Sequence, residues 1–185
     1  MKHLLLCLLL LSGFLSLSVF VQNAEAQSLP EPRQSPLGLS RVMLDDDSYV
    51  KIVYGRPQMR DREIFGQLVP YGEVWRTGAN EATEITLTQA VMIDGERLEA
   101  GTYSLFTIPG EDAWTIIINE KLGSWGAYSY DESADVMRLS APADRTDEAV
   151  EAFTIMFEQE EDEARARLMM RWEHTQVSVM LEPAG

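Results

Sequence analysis

Apolar side chains recur at every second residue along most of this chain, and that period decides what it can fold into. Between 164 and 172, Ala166, Leu168, Met170 and Trp172 fall on one side and Arg165, Arg167 and Arg171 on the other. Successive side chains of an extended strand point to opposite faces, so the pattern describes an antiparallel strand with one dry and one wet face. The same phase appears in Val50, Ile52 and Tyr54, in Phe153, Ile155 and Phe157, and in Val177, Val179 and Leu181. Segments 84–88, 89–93, 102–108 and 114–119 are further strand material, and they are separated by turn residues. Asp94-Gly95 is a two-residue hairpin signal, Pro109-Gly110-Glu111-Asp112 joins two strands, and Glu160-Glu161-Asp162-Glu163 is too charged to be buried. Helical material is scarce: 61–68 is expected to form a short helix with Ile64, Phe65 and Leu68 turned inward, and 147–151 a single turn after Thr146. The expected fold is therefore all-β, a single antiparallel β-sandwich or jelly-roll-like domain with one or two short helices, over residues 41–183.

The residues before that domain read differently. Met1-Lys2-His3 is a short basic start, 4–21 is apolar, and Ala24 and Ala26 stand at −3 and −1 of a cut after Ala26. This is the pattern of a secretory signal peptide, residues 1–26. An uncleaved anchor is the rival reading, and the small-residue site directly behind the apolar run favours cleavage. Residues 27–40 hold Pro30, Pro32 and Pro36 and read as a Pro-rich leader. The single cysteine, Cys7, lies inside the apolar run, so the mature chain is expected to lack thiol chemistry, disulfides and Cys-based metal sites. Export without disulfides places the protein in the periplasm or outside the cell, with no membrane span after cleavage. The net charge of −15 disfavours nucleic-acid binding, which needs a basic surface. Outside the signal, only Lys51 and Lys121 accompany twelve arginines. An acidic, lysine-poor surface is what a protein working in high salt would carry, so a halophilic source is expected.

Familiar reaction chemistry is missing. His174 is the one histidine beyond the signal, so no His-rich metal site is available, and a lone histidine on a strand reads as a partly exposed surface residue. Asp45-Asp46-Asp47-Ser48 lacks the spacing of a calcium loop and reads as a solvated turn. No G-x-S-x-G elbow precedes a helix, and acidic pairs are too numerous to single one out. No cofactor or metal is expected.

What remains is one glycine-hinged loop and its companions. Tyr71-Gly72-Glu73-Val74-Trp75-Arg76-Thr77-Gly78-Ala79-Asn80-Glu81-Ala82-Thr83 carries a Trp, an Arg, an Asn and Glu side chains. Arg56 ends a strand before Pro57, and Arg62 opens the expected helix. Asn80 and Glu81 could orient the guanidinium groups, and arginines so held would suit a carboxylate, phosphate or sulfate. A buried Arg–Glu network that only braces the loop would look the same in sequence. The second candidate is Trp125-Gly126-Ala127-Tyr128-Ser129-Tyr130, whose aromatics could stack on sugar rings but are expected chiefly to plug the end of the core.

Gly55-Arg56-Pro57, Arg62-Glu63-Ile64-Phe65-Gly66, Val69-Pro70-Tyr71-Gly72, the run from Val74 to Thr83, Ala100-Gly101-Thr102-Tyr103-Ser104-Leu105-Phe106 and Trp125-Gly126 together resemble domain-of-unknown-function family 2911, an exported bacterial family. The resemblance implies a single exported β-rich domain and brings no catalytic residue, cofactor or substrate with it. The leading reading is a non-catalytic binding module for a small molecule, glycan or envelope protein partner, with Arg56, Arg62, Arg76, Asn80, Glu81, Trp125 and Tyr128 as ligand contacts. The alternatives are a hydrolase using Glu81 as general base on an anionic or sugar substrate, and a purely structural envelope protein.

Overall fold

The structure, a computed structural model, describes residues 32–160 and 164–185. The expected signal peptide, Cys7, the leader before Pro32 and residues 161–163 of the charged turn lie outside the described residues. Nine strands follow in chain order: β1 Leu37–Met43, β2 Tyr49–Gly55, β3 Thr83–Leu87, β4 Val91–Ile93, β5 Glu96–Leu98, β6 Gly101–Ile108, β7 Ala113–Asn119, β8 Asp135–Gln159 and β9 Ala166–Pro183. They form one antiparallel sheet in the order β1-β2-β3-β6-β7-β8-β9-β4-β5. The alternating residues land as their period requires: Val50, Ile52, Tyr54, Phe153, Ile155, Leu168, Met170, Trp172, Val177, Val179 and Leu181 are all buried in one core. Asp94 and Gly95, both with positive φ, make the tight turn between β4 and β5.

β8 is the hinge of this architecture. Its first part pairs with β7 from Asp135 to Pro142, and its later part pairs with β9, from Ala143 to Arg145, at Val150, and from Thr154 to Gln159. Between them the register slips twice, at Arg145/Val150 and Val150/Thr154, and such bulges bend a strand. The two halves of the sheet thereby enclose the main core, and Ala82, Phe106 and Ile117 form a second, small buried cluster. Tyr54 of β2 reaches across it: its hydroxyl donates to the Ile155 carbonyl at 3.2 Å and accepts from the Ile155 N–H at 3.0 Å, while its ring meets Phe153 edge-on. Among the described residues no helix is long and apolar enough to cross a membrane.

Both expected helices are corrected, and so is the start of the sheet. Residues 61–68 form turns, because Arg60 and Asp61 adopt left-handed backbone (φ 51° and 57°) and Gly66 follows at φ 88°. Two left-handed residues deny a helix its first turn. Ile64 and Phe65 are buried as expected, but Val69 takes the inward place instead of Leu68, which is exposed. Residues 147–151 belong to β8, where the Glu151 carbonyl accepts from the Met59 N–H and from the Trp172 indole. Among the described residues the one helical segment is a 3-10 turn, Glu132–Ala134. Leu37–Ser40, read as part of the leader, pairs with β2 inside β1.

The end of β2 fixes the long loop. A Cβ added to Gly55 would stand 2.0 Å from the Ala79 carbonyl oxygen, so only glycine lets the two backbones meet there. Gly55→Ala should therefore destabilise the protein by about 1–3 kcal/mol, the range of overpacking a tight interior. Denaturant unfolding checks this, and an unchanged midpoint would show that the loop does not rest on β2.

Candidate functional site

The loop from Tyr71 to Thr83 is anchored from within by Trp75. Its indole is buried, stacks on Trp172 (5.9 Å, 16°), and meets Phe65, Trp114 and Phe153 at steep angles with centroids 5.0–6.0 Å apart. Its N–H donates to the Gly78 carbonyl at 3.1 Å, closing the loop on itself. The backbone of Trp75 exchanges two hydrogen bonds with Thr107 of β6, at 2.7 and 2.9 Å. Thr77, also left-handed (φ 54°), donates its hydroxyl to Thr107 Oγ1, and the Thr83 hydroxyl donates to the Thr77 carbonyl at 2.7 Å. Alternate residues of the loop are thus tied down, and Arg76 and Asn80 project between the ties.

They project into a cavity of about 650 Å³. Arg60, Arg62 and Arg76 line it against a single carboxylate, Glu73, with Gln34, Gln58 and Asn80 as amides and Val69, Pro70 and Trp75 as apolar wall. Among the described residues none of the three guanidinium groups makes an ion pair. Arg62 donates to the carbonyls of Met59 (2.9 Å) and Gln58 (2.6 Å), and Arg60 to Gln58 Oε1 (3.5 Å) and the Gln34 carbonyl (3.4 Å). Among the described residues the Arg76 side chain has no hydrogen-bond or ion-pair partner, and its Nε is shut off from solvent. Trp114 Nε1 and Arg171 Nε are also buried without an acceptor, but neither residue lines the cavity. Burial pushes the Arg76 guanidinium below its ordinary pKa, the response of a cation withdrawn from water without an anion beside it.

The other expected contacts divide. Arg56 lies outside the cavity lining and braces β2 to β8, donating to the Phe153 carbonyl (3.3 Å) and Thr154 Oγ1 (3.2 Å). Asn80 (φ 67°) lines the cavity, its amide 3.5 Å from the Ser35 carbonyl. Glu81 corrects the expected pairing with Arg56 or Arg76. Its carboxylate takes two hydrogen bonds from Arg33, at 2.6 and 2.7 Å, with both side chains 44% exposed. The Arg33 hydrogen bonds hold it below the usual carboxylate range, the opposite of a poised general base. No local pattern could have found this pair, because 48 residues separate its members. Arg60, which the sequence reading did not single out, joins the cavity because the turn after Met59 swings it there. His174 stands elsewhere, with Nδ1 2.9 Å from the Thr146 carbonyl. Among the described residues no group of three or more His, Cys, Asp or Glu could hold a metal.

The 125–130 loop is the second correction. Trp125 and Tyr128 do not plug the core: they are 60% and 90% exposed, and Tyr128 lines the cavity. Tyr130 does the packing instead, edge-on to Phe106 at 5.2 Å. The loop reaches the long loop through the Gly126 N–H to Asn80 carbonyl bond (2.8 Å) and the antiparallel bridge of Trp125 with Glu81. Arg76 Nη1 would lie 3.7 Å from a Cβ on Gly126, which places the guanidinium directly against this loop.

Tyr130 fixes the loop's far end by donating to Asp135 Oδ2 and accepting from Arg138 Nη1 (2.8 Å). Desolvation, reinforced by the Asp135 hydrogen bond, raises the phenol from 10.0 to about 12. A raised folded-state pKa means that the contribution of this network is fully present below the unfolded value and lost as pH climbs through the folded one. The stability difference between the protein and Tyr130→Phe should therefore be constant below pH 10 and shrink toward about 12. Paired thermal melts across that range check it, and a difference that stays flat to the alkaline limit would contradict it.

The comparisons with known proteins come down to one match. No curated protein and no solved structure matches the chain. The sequence profile described as "Protein of unknown function (DUF2911)" matches residues 36–181, which takes in β1 to β8, all but the last two residues of β9, the Trp75 loop and the 125–130 loop. The chain belongs to that family.

Proposed function

We propose that this protein is an exported, non-catalytic binding module whose ligand is an anion held in the Arg60–Arg62–Arg76 cavity. One observation carries the reading: Arg76 keeps a half-buried charge at the cavity wall, and its buried Nε has no acceptor among the described residues. Withholding hydrogen-bond partners from a buried donor costs about 1–3 kcal/mol, so a fold that keeps such a group gains nothing from it in the empty state. An oxyanion would supply the missing acceptors, and guanidinium forks match carboxylate and sulfate oxygens in pairs. The setting strengthens the point, since a chain of net charge −15 gathers three unpaired arginines around one carboxylate here. The secretory signal supports a periplasmic or extracellular place for this binding.

Arg76→Met separates this reading from a structural brace. If Arg76 braced the loop through a buried pair, its loss would strand a partner and cost about 3–5 kcal/mol. As a ligand contact without a partner, its replacement should change stability by less than ~1 kcal/mol. Saturating glucuronate, citrate, phosphate or sulfate, at about one hundred times Kd, should raise the Tm of the unaltered protein by roughly 5–10 °C. The variant should lose that shift. Equal shifts in both proteins, or none with any anion, would refute the proposal.

A further inference from the structure

We infer that the ligand is a saccharide, a pyranose-type sugar bearing a carboxylate or sulfate, with its ring stacked on the solvent-facing aromatics of the 125–130 loop. This rests on the reading of the cavity as an anion site. Three features of the cavity rim point beyond a bare anion. The first is Tyr128, which lines the cavity yet is 90% exposed; Trp125 lies outside the lining but on the same loop and is 60% exposed. Neither ring packs against another aromatic, and the loop that presents them is pinned, by Tyr130 to Asp135, by Gly126 to Asn80 and by Lys121 Nζ to the Ser129 carbonyl at 2.7 Å. Flat, held, open aromatic faces suit a sugar, whose C–H face carries partial positive charge and meets the negative ring face of Tyr or Trp.

The second feature is the amide set. Gln34, Gln58 and Asn80 line the cavity, and each amide both donates and accepts, as sugar hydroxyls do. A fatty-acid-like anion would cover these groups without pairing them, which is costly. The third is size. The cavity of about 650 Å³ is in the range that takes an organic molecule of drug size, and an inorganic oxyanion would use neither the aromatic face nor the amide oxygens. Arg76, pressed against the Gly126 segment, lies where an anionic substituent would fall when the ring rests on Tyr128.

Isothermal titration calorimetry tests this with tetragalacturonate, a sulfated galactan tetrasaccharide, neutral maltotetraose, acetate, inorganic sulfate and adenosine monophosphate. One acidic tetrasaccharide should bind at least about tenfold tighter than acetate, sulfate and the neutral sugar. The carboxylate and sulfate arms then show which substituent the arginines take. Tyr128→Ala and Trp125→Ala, both at exposed positions and checked for an unchanged Tm, should weaken that tetrasaccharide about tenfold while leaving acetate and sulfate unaffected. If anions bind through Arg76 but the aromatic variants leave tetrasaccharide affinity intact, the saccharide inference falls and the anion site stands. The same holds if the neutral sugar binds as tightly or the nucleotide binds tighter. If no probe binds at all, both fall together.

Discussion

The Trp75 indole is the contact on which the site depends. It lies at the centre of an aromatic cluster with Phe65, Trp114, Phe153 and Trp172, drawn from β7, β8, β9 and the turn after β2. Aromatic pairs of this kind contribute about 0.5–1.5 kcal/mol each beyond the area they bury. A loop of thirteen residues, Tyr71 to Thr83, would otherwise have little reason to hold one shape. With Trp75 sunk in the core, Thr77 tied to Thr107, and Ala79 against Gly55, the intervening side chains have their directions set for them. Arg76 follows directly from Trp75, so the residue that anchors the loop also aims the charge beside it.

That arrangement explains how an acidic protein can maintain a cationic cavity. Four arginines elsewhere are neutralised, Arg33 by Glu81, Arg97 by Glu99, Arg138 by Asp135 and Arg167 by Glu160, whereas Arg56 is held by a carbonyl and a hydroxyl. At the cavity, Arg60 and Arg62 are satisfied by carbonyl and amide oxygens that orient them without cancelling their charge, and Arg76 is left without an acceptor. In a partly desolvated cavity, charges so held act on an incoming anion more strongly than they would in water. The Arg33–Glu81 pair, close in sequence to Asn80, also removes the acid that would compete with a ligand for Arg76.

The strands were legible because a strand declares itself locally: the alternation of Ala166, Leu168, Met170 and Trp172 needs no knowledge of the partner strand. The Trp75 loop stood out in the sequence for a similar reason, since glycine hinges and dense polar groups are visible without a fold. Charge pairing was not. Glu81 has Arg76 five residues away, yet it bonds Arg33, because β1 and the segment before it run back along the site and no spacing rule encodes that. The 61–68 segment misled because Ile64, Phe65 and Leu68 carry helical spacing, while the left-handed backbone at Arg60 and Asp61 is imposed by the docking of Gln58 and Met59 on β8. The aromatics of the 125–130 loop misled in the other direction: Tyr130 and Ala127, with Val74 and Ile108, cover the small cluster around Phe106, and Trp125 and Tyr128 face solvent.

The central claim is that Arg76 is an unsatisfied cation waiting for an oxyanion, and side-chain nitrogen NMR reads that state directly. In protein labelled with nitrogen-15, the Arg76 guanidinium resonances should shift saturably as glucuronate or sulfate is added at constant ionic strength. Those of Arg33, already held by Glu81, should stay in place. Arg76 resonances that remain still while other arginines move, or that move only in parallel with all of them, would contradict the account.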